Sequence, residues 1–260
     1  MQADMAAIRQ ILLRDPIWSV YALADLQPAF APYCRWTMVD GVNGAAVLLL
    51  FSALQPPIFF ATGDTEAVTE ALAGAELPDR LYVTLRPVHY ALLDHYYQWV
   101  DVPHHMVRMV LREHLPVPQP DVPNLVRLLP GDAAAIAALY AHGGAFTPDS
   151  FDAYQLDDGV FYGVRDERGT LLAVGGTHII AHAEQMAAIG NMYTHPAHRG
   201  KGYTRAVLAA IVADLQAHKM RTIVLNVDEN NGVARRIYER YGFRVHCSLI
   251  EAEGIKRVGY

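Results

Sequence analysis

This chain of 260 residues predicts a mixed α/β fold arranged in two similar halves. Three observations carry that reading. Short apolar runs have strand character, amphipathic runs of helical period lie between them, and one Pro-rich seam sits near the middle. The seam is Leu115-Pro116-Val117-Pro118-Gln119-Pro120-Asp121-Val122-Pro123. Prolines at alternate positions disfavour helix and favour an extended, semi-rigid spacer. The expected organisation is therefore a domain over 1–113, a linker over 114–123 and a second domain over 124–260.

Before the seam, Met5 to Arg14 reads as a helix. Arg35 to Val39, Ala45 to Phe51 and Pro57 to Ala61 read as strands, with turn signals at Asp40-Gly41 and Asn43-Gly44. Thr65 to Ala73 predicts a helix, Leu81 to Leu85 a strand, Val88 to Tyr97 a helix and Met106 to Leu111 a strand. After the seam come a strand at Leu125 to Leu129 and a helix at Ala133 to His142. Strands follow at Val160 to Arg165, Leu171 to Ile179 and Met186 to Thr194. The remaining elements are a helix over Val207 to His218, a strand over Thr222 to Val227, a helix from Asn231 to Tyr241, and a strand over Phe243 to Cys247. The repeated element order suggests an old duplication.

Composition narrows the function classes. Half the residues are apolar (52%), enough for packed cores, and the formal net charge is −6 with no basic stripe. Nucleic acid is therefore not an expected partner. No apolar run is long enough to span a bilayer, and Asp4 and Arg9 interrupt any signal-peptide core, so no membrane association is expected. Cys34 and Cys247 stand far apart, which fits a reducing cytoplasm better than a disulfide framework.

The chemistry-bearing stretch is His195-Pro196-Ala197-His198-Arg199-Gly200-Lys201-Gly202-Tyr203-Thr204. It links an apolar strand to an amphipathic helix. Two glycines bracketing a lysine let the backbone curl without obstruction. Several N–H groups then converge at a helix start, where the dipole adds partial positive charge. This is a seat for a phosphate-bearing ligand. A second block is Asn231-Gly232-Val233-Ala234-Arg235-Arg236-Ile237-Tyr238-Glu239-Arg240-Tyr241-Gly242-Phe243. Asn231 stands where it caps the helix or reaches a ligand, and Gly242 is placed as a left-handed cap.

Together the two blocks resemble the GNAT superfamily of acyl-CoA-dependent N-acyltransferases. Its loop pattern falls on Arg199, Gly202 and Thr204, and its downstream pattern on Asn231, Ala234, Tyr238, Gly242 and Phe243. The resemblance spans about 124–245 and extends to a bacterial subgroup that carries a degenerate copy of the same fold in front. It implies a GNAT-type fold in two tandem copies, each a central, mostly antiparallel twisted sheet flanked by helices. Thr204 departs from the small residue that the family prefers; its hydroxyl could donate to a phosphate or its bulk could push a ligand outward.

The resemblance further implies an enzyme that moves the acetyl group of acetyl-CoA to a primary amine in a ternary complex. Backbone N–H groups of Gly200, Lys201, Gly202, Tyr203 and Thr204 would receive the diphosphate, with charge from Arg199 and Lys201. Met192, Tyr193 and Thr194 would pair with the pantetheine arm as an added strand. Asn226, Asn231 and Ala234 complete the coenzyme side, and Tyr238 is the expected acid for the departing thiolate. A free N–H near Met192 would polarise the acyl carbonyl.

Ala188 stands where many members carry a catalytic carboxylate, so the nearest titratable candidates for the base are His178 and Glu184. The alternatives are a structural histidine and a solvated turn residue. Deprotonating an α-amine of pKa ~8 at neutral pH costs about 1.4 kcal/mol, against roughly 4.6 for a lysine-like amine. A site without an obvious base thus favours a small-molecule or amino-acid acceptor of low pKa. The competing reading is a non-catalytic acyl-CoA-binding regulatory module. His178 and His182 have metal-like spacing without a zincin glutamate, and no metal is expected. Trp18, Tyr21 and Leu23 to Leu26 form an apolar patch read as core, with an acceptor-site or homodimer contact as the sharper option.

Overall fold

The structure, a computed structural model, describes residues 4–112, 122–148 and 151–258. The chain divides into two compact units, Met1–Arg108 with Val245–Tyr260, and Met109–Arg244. The final strand from Val245 thus falls in the first unit, whereas the sequence reading assigned all of 124–260 to the second. Most of the Pro-rich seam lies outside the described residues.

The first unit runs α1 (Met5–Leu12), α2 (Val20–Ala24), β1 (Cys34–Gly41), β2 (Gly44–Phe51), β3 (Ile58–Gly63), α3 (Thr65–Ala73), β4 (Arg80–Leu85), α4 (Pro87–Leu93), β5 (Tyr97–Trp99) and β6 (His104–Leu111). The second runs β7 (Leu125–Leu128), α5 (Ala133–Tyr140), α6 (Gln155–Asp158), β8 (Phe161–Arg165), β9 (Leu171–Ala181), β10 (Met186–Thr194), α7 (Tyr203–Ala217), β11 (Thr222–Asp228), α8 (Gly232–Arg240) and the start of β12 (Phe243–Lys256). The unit boundaries fall inside β6 and β12.

Within the first unit the strand order is β1-β2-β3-β4-β12, with β5 paired to β12. All pairs are antiparallel except β3–β4, whose connection is α3. Within the second unit the order is β11-β10-β9-β8-β7, again antiparallel except for β10–β11, joined through α7. Each unit therefore repeats one plan: antiparallel strands, then a parallel pair spanned by a helix that covers the sheet. The mixed α/β, mostly antiparallel layout and its tandem repetition follow the sequence reading.

Local chemistry explains most boundaries. Asp4 caps α1 by accepting from the N–H groups of Ala6 and Ala7. β2, GAAVLLLF, is buried on both faces and forms the centre of the first core with Phe59, Leu81 and Val83. The second core gathers Leu128, Ile136, Leu156, Phe161 and Val174. Trp18 and Leu23 are fully buried in the first unit, so these two side chains of the aromatic patch are core, while Tyr21 and Leu26 remain partly exposed.

Several elements differ from expectation. The helix expected to run to Tyr97 ends at Leu93, and Tyr97 belongs to β5, opposite Lys256. Burial of the Tyr97 ring outweighs the helical period there. The last strand continues from Cys247 to Lys256, its inward Ile250, Ala252 and Gly254 spaced for a sheet. The short helices α2 and α6 had no readable period at all.

Candidate active site

β10 and β11 run parallel and paired only from Met186–Ile189 against Thr222–Leu225. Past that point Gly190–Thr194 and Asn226–Asp228 continue without pairing to each other, so the two strands part. A parting parallel pair leaves backbone N–H and C=O groups available to an extended ligand. The far end of β10 leads directly into the glycine loop.

In that loop Gly200 and Gly202 take φ of +80° and +83°, the left-handed region that glycine enters without a Cβ penalty. A Cβ at Gly200 would meet nothing within 4 Å, so the space beside that residue is open. Gly202 is the N-cap of α7, a helix of 15 residues, and the helix starts at Tyr203 rather than at Val207. Tyr203 and Thr204 therefore belong to its first turn, where N–H groups lack intrahelical acceptors. The cradle suits a diphosphate: converging donors, a helix dipole and room for the anion.

The loop's side chains fold partly on themselves. Arg199 Nε donates to the carbonyl of Thr194 (3.2 Å), and Lys201 Nζ lies 3.4 Å from His198 Nδ1. Thr204 Oγ1 hydrogen-bonds Thr194 Oγ1 at 3.1 Å, so its hydroxyl ties the helix start to the strand end. His142 and His198 ring the imidazole of His195, with centroids at 4.2 and 5.3 Å. Burial, then the neighbouring His142, His198 and Arg199, hold the His195 pKa below its ordinary value. Its Nδ1 is thus an acceptor for the Ala197 N–H.

On the strand itself, Tyr193 is buried, donating its hydroxyl to the Gly143 carbonyl at 2.7 Å. The thioether of Met192 occupies the space above Gly175 on β9, where a Cβ would stand 2.1 Å from its sulfur. Between the pairs Gly190–Gly176 and Tyr193–Val174, β10 carries one extra residue: a bulge at Asn191–Met192. Asn191 has φ of +57° and is 3% exposed. Neither Asn191 nor its partners Gln155 and Tyr140 was singled out from sequence. A glycine followed by a polar residue inside an apolar strand run was the available signal.

On the opposite side, Asn226 is the first β11 residue past the paired stretch. Asn231 Oδ1 accepts from the Ala234 N–H at 3.1 Å and caps α8, while Gly242 (φ +89°) closes it. Tyr238, on α8, is 5% exposed and packs edge-on against Phe243. Burial pushes its pKa up to about 12, so the phenol holds its proton throughout the neutral range.

The two base candidates separate. His178, half-buried on β9, is the extra residue between the pairs Ile179–Ala188 and Thr177–Ile189, and its ring lies against Gly190 where β10 and β11 part. Glu184 instead sits in the turn joining β9 to β10, at the end where β10 is still paired with β11. Strand rise puts that turn roughly 20 Å from Met192. Glu184 is therefore remote from the parting strands, because the hairpin carries it away from them. Ala188 is wholly buried. A cavity of about 320 Å³ also lies at that remote end, lined by Arg127, Leu156, His182 and His218. Among the described residues no His, Cys, Asp or Glu group gathers as a metal site, and no helix is long and apolar enough to cross a membrane.

The first unit lacks the cradle. β3 passes to α3 through Asp64 alone, and the Asp64 carboxylate, at the start of α3, accepts from the Ala45 N–H. Past the paired stretch Ile58–Phe60, the Ala61 carbonyl accepts from Trp18 Nε1 at 3.3 Å.

Residues 133–243 match the model of the acetyltransferase (GNAT) family. A mycothiol acetyltransferase from Thermobispora bispora is 33% identical over 146 residues, 49% of this chain and 50% of that protein. The chain thus spans about half the length of that relative. A crystal structure from the GNAT family of Novosphingobium aromaticivorans superposes with a TM-score of 0.59 at 22% identity, over 85% of this chain and 92% of that one. A tandem GNAT protein from the clavulanic acid biosynthesis pathway gives 0.54 at 16% identity, over 91% and 86%. These likenesses establish the fold.

Proposed function

From residues 133–243 as a GNAT acetyltransferase domain, we propose an enzyme that transfers the acetyl group of acetyl-CoA directly to a primary amine of a small molecule or amino acid. The observation that carries this reading is one continuous arrangement. The glycine cradle at the start of α7 follows immediately from the strand that parts from β11. Diphosphate at the cradle and pantetheine along Gly190–Thr194 would bring the thioester to the parting point.

The residues then have separate tasks. N–H groups of Gly200 to Thr204 bind the diphosphate, and Arg199 and Lys201 add positive charge nearby. A backbone N–H near Met192 polarises the thioester carbonyl. The amine nitrogen attacks that carbonyl carbon, and the pair released from the breaking C–S bond goes to sulfur. The Tyr238 hydroxyl supplies a proton to that thiolate; the dry surroundings that raise its pKa also raise that of the thiol. His178 accepts the proton lost by the amine. Neither Cys34 nor Cys247 belongs to this unit's site, which supports direct transfer over a covalent acyl-enzyme. A single imidazole base suits an acceptor of low pKa, such as an α-amine. A cytoplasmic setting fits both free thiols.

Release of free thiol from acetyl-CoA in the presence of an amine panel tests the reading. Acetylated α-amine product is expected. Coenzyme binding without thiol release under any acceptor would favour the regulatory module instead.

A further inference from the structure

The buried Asn191 is used by neither the cradle nor the proton transfers, and its surroundings give it a task. It is the first residue of the β10 bulge and takes the left-handed conformation that bulges of this kind usually reserve for glycine. Asparagine is the side chain that best tolerates that region. Two elements grip it. Asn191 Nδ2 donates to Gln155 Oε1 (2.9 Å), at the start of α6, and the Asn191 carbonyl accepts from the Tyr140 hydroxyl (2.7 Å), at the end of α5. Gln155 is itself buried, and its Oε1 is 3.4 Å from the Asp152 N–H. Tyr193, two residues on, is held by Gly143 in the same connecting segment. The bulge is thus clamped on both sides of Met192, the residue whose neighbourhood is assigned to the thioester carbonyl.

We propose that Asn191, with Gln155, is a positioning pair: it holds the bulge in the one backbone orientation that turns an N–H of β10 toward the acyl carbonyl. The inference rests on the acetyl-CoA reading above. A peptide plane at a bulge rotates with φ and ψ of its first residue, so the left-handed value at Asn191 sets the direction of the next N–H. A β-branched or alanine side chain there favours an extended φ, which would turn that N–H back into the sheet. The side-chain amide selects the bulged form by its bond to Gln155. The phenol of Tyr140 takes the carbonyl that the bulge frees from the β-ladder, a group that would be costly to leave buried and unbonded.

The test measures the carbonyl itself. Infrared difference spectra of [1-¹³C-acetyl]-CoA bound to the full chain report hydrogen bonding to the thioester as a downshift of its C=O band. The wild type is expected to show the downshift. Asn191→Ala is expected to lose it, and Asn191→Gly, which tolerates positive φ but lacks the amide, to keep only part. Gln155→Leu leaves the backbone residue intact and is expected to broaden or halve the shift, which covers the case in which Asn191→Ala does not fold. Turnover is expected to fall ~10²-fold in Asn191→Ala, the order seen when one oxyanion donor is lost, with the KM for acetyl-CoA within about threefold. An unchanged downshift and kcat in folded Asn191→Ala and Gln155→Leu would overturn the positioning role while leaving the acetyl-CoA reading intact. A wild type that binds no acetyl-CoA would overturn that reading first, and this inference with it.

Discussion

The imidazole of His178 occupies the space that any side chain at residue 190 would need: a Cβ on Gly190 would stand 1.7 Å from its Cδ2 and 1.8 Å from its Nε2. Gly190 therefore acts as the bed on which the ring rests, at the point where β10 and β11 part. Gly190→Ala is expected to expel the ring and to lower kcat as much as His178→Ala does. The double variant should be no worse than either single one, since both remove the same group. Additive losses in steady-state kinetics would separate the two residues and remove His178 from the chemistry.

The acidity of Tyr238 sets the shape of the pH profile. The acceptor reacts as free amine, so the rate rises as pH climbs through the amine's pKa. In the proposed reaction Tyr238 works protonated, and its pKa is pushed up to about 12 by burial, so its contribution is lost only above that value. The expected profile rises to a plateau with no descending limb below about pH 11. Tyr238→Phe should lower the plateau ~10²–10⁴-fold. A falling limb near pH 8–9 in the wild type would point to a different acid.

The cap of α8 carries a stability expectation. Asn231→Ala removes the acceptor of the Ala234 N–H and should cost about 1 kcal/mol in denaturant unfolding. Asn231→Asp retains an acceptor beside the positive end of the helix and should recover most of that loss. Equal destabilisation by both variants would mean that the cap is not what Asn231 contributes.

The two units differ in what fills their parallel strand pairs. In the first, Trp18 Nε1 takes up the Ala61 carbonyl, and the Asp64 carboxylate accepts from the Ala45 N–H where the second unit has its glycine loop. One coenzyme per chain is the expected calorimetric stoichiometry. Two equivalents would show that the first unit retains a seat of its own.

What could be read from the residues follows the range of the forces involved. The cradle from Arg199 to Thr204 and the cap from Asn231 to Ala234 are local: φ preferences and helix ends decide them within a few residues, so their spacing was visible. The choice between His178 and Glu184 depends on the register of β9 against β10, a non-local pairing that sends one candidate to the parting strands and the other to the far turn. The Asn191 clamp joins residues 36 apart through Gln155 and 51 apart through Tyr140, beyond any helical or strand period. The strand at Tyr97 is hidden from the sequence for the same reason, since its partner Lys256 comes from the last strand.

Titration calorimetry with desulfo-CoA tests the cradle without any chemistry at the thiol. The wild type should bind it, phosphate-free pantetheine should bind at least ~10-fold more weakly, and Gly202→Val should lose most affinity because valine resists φ of +83°. No heat of binding at ~1 mM, where a Kd of that size is worth only about 4 kcal/mol, would contradict the assignment of the loop as a diphosphate seat.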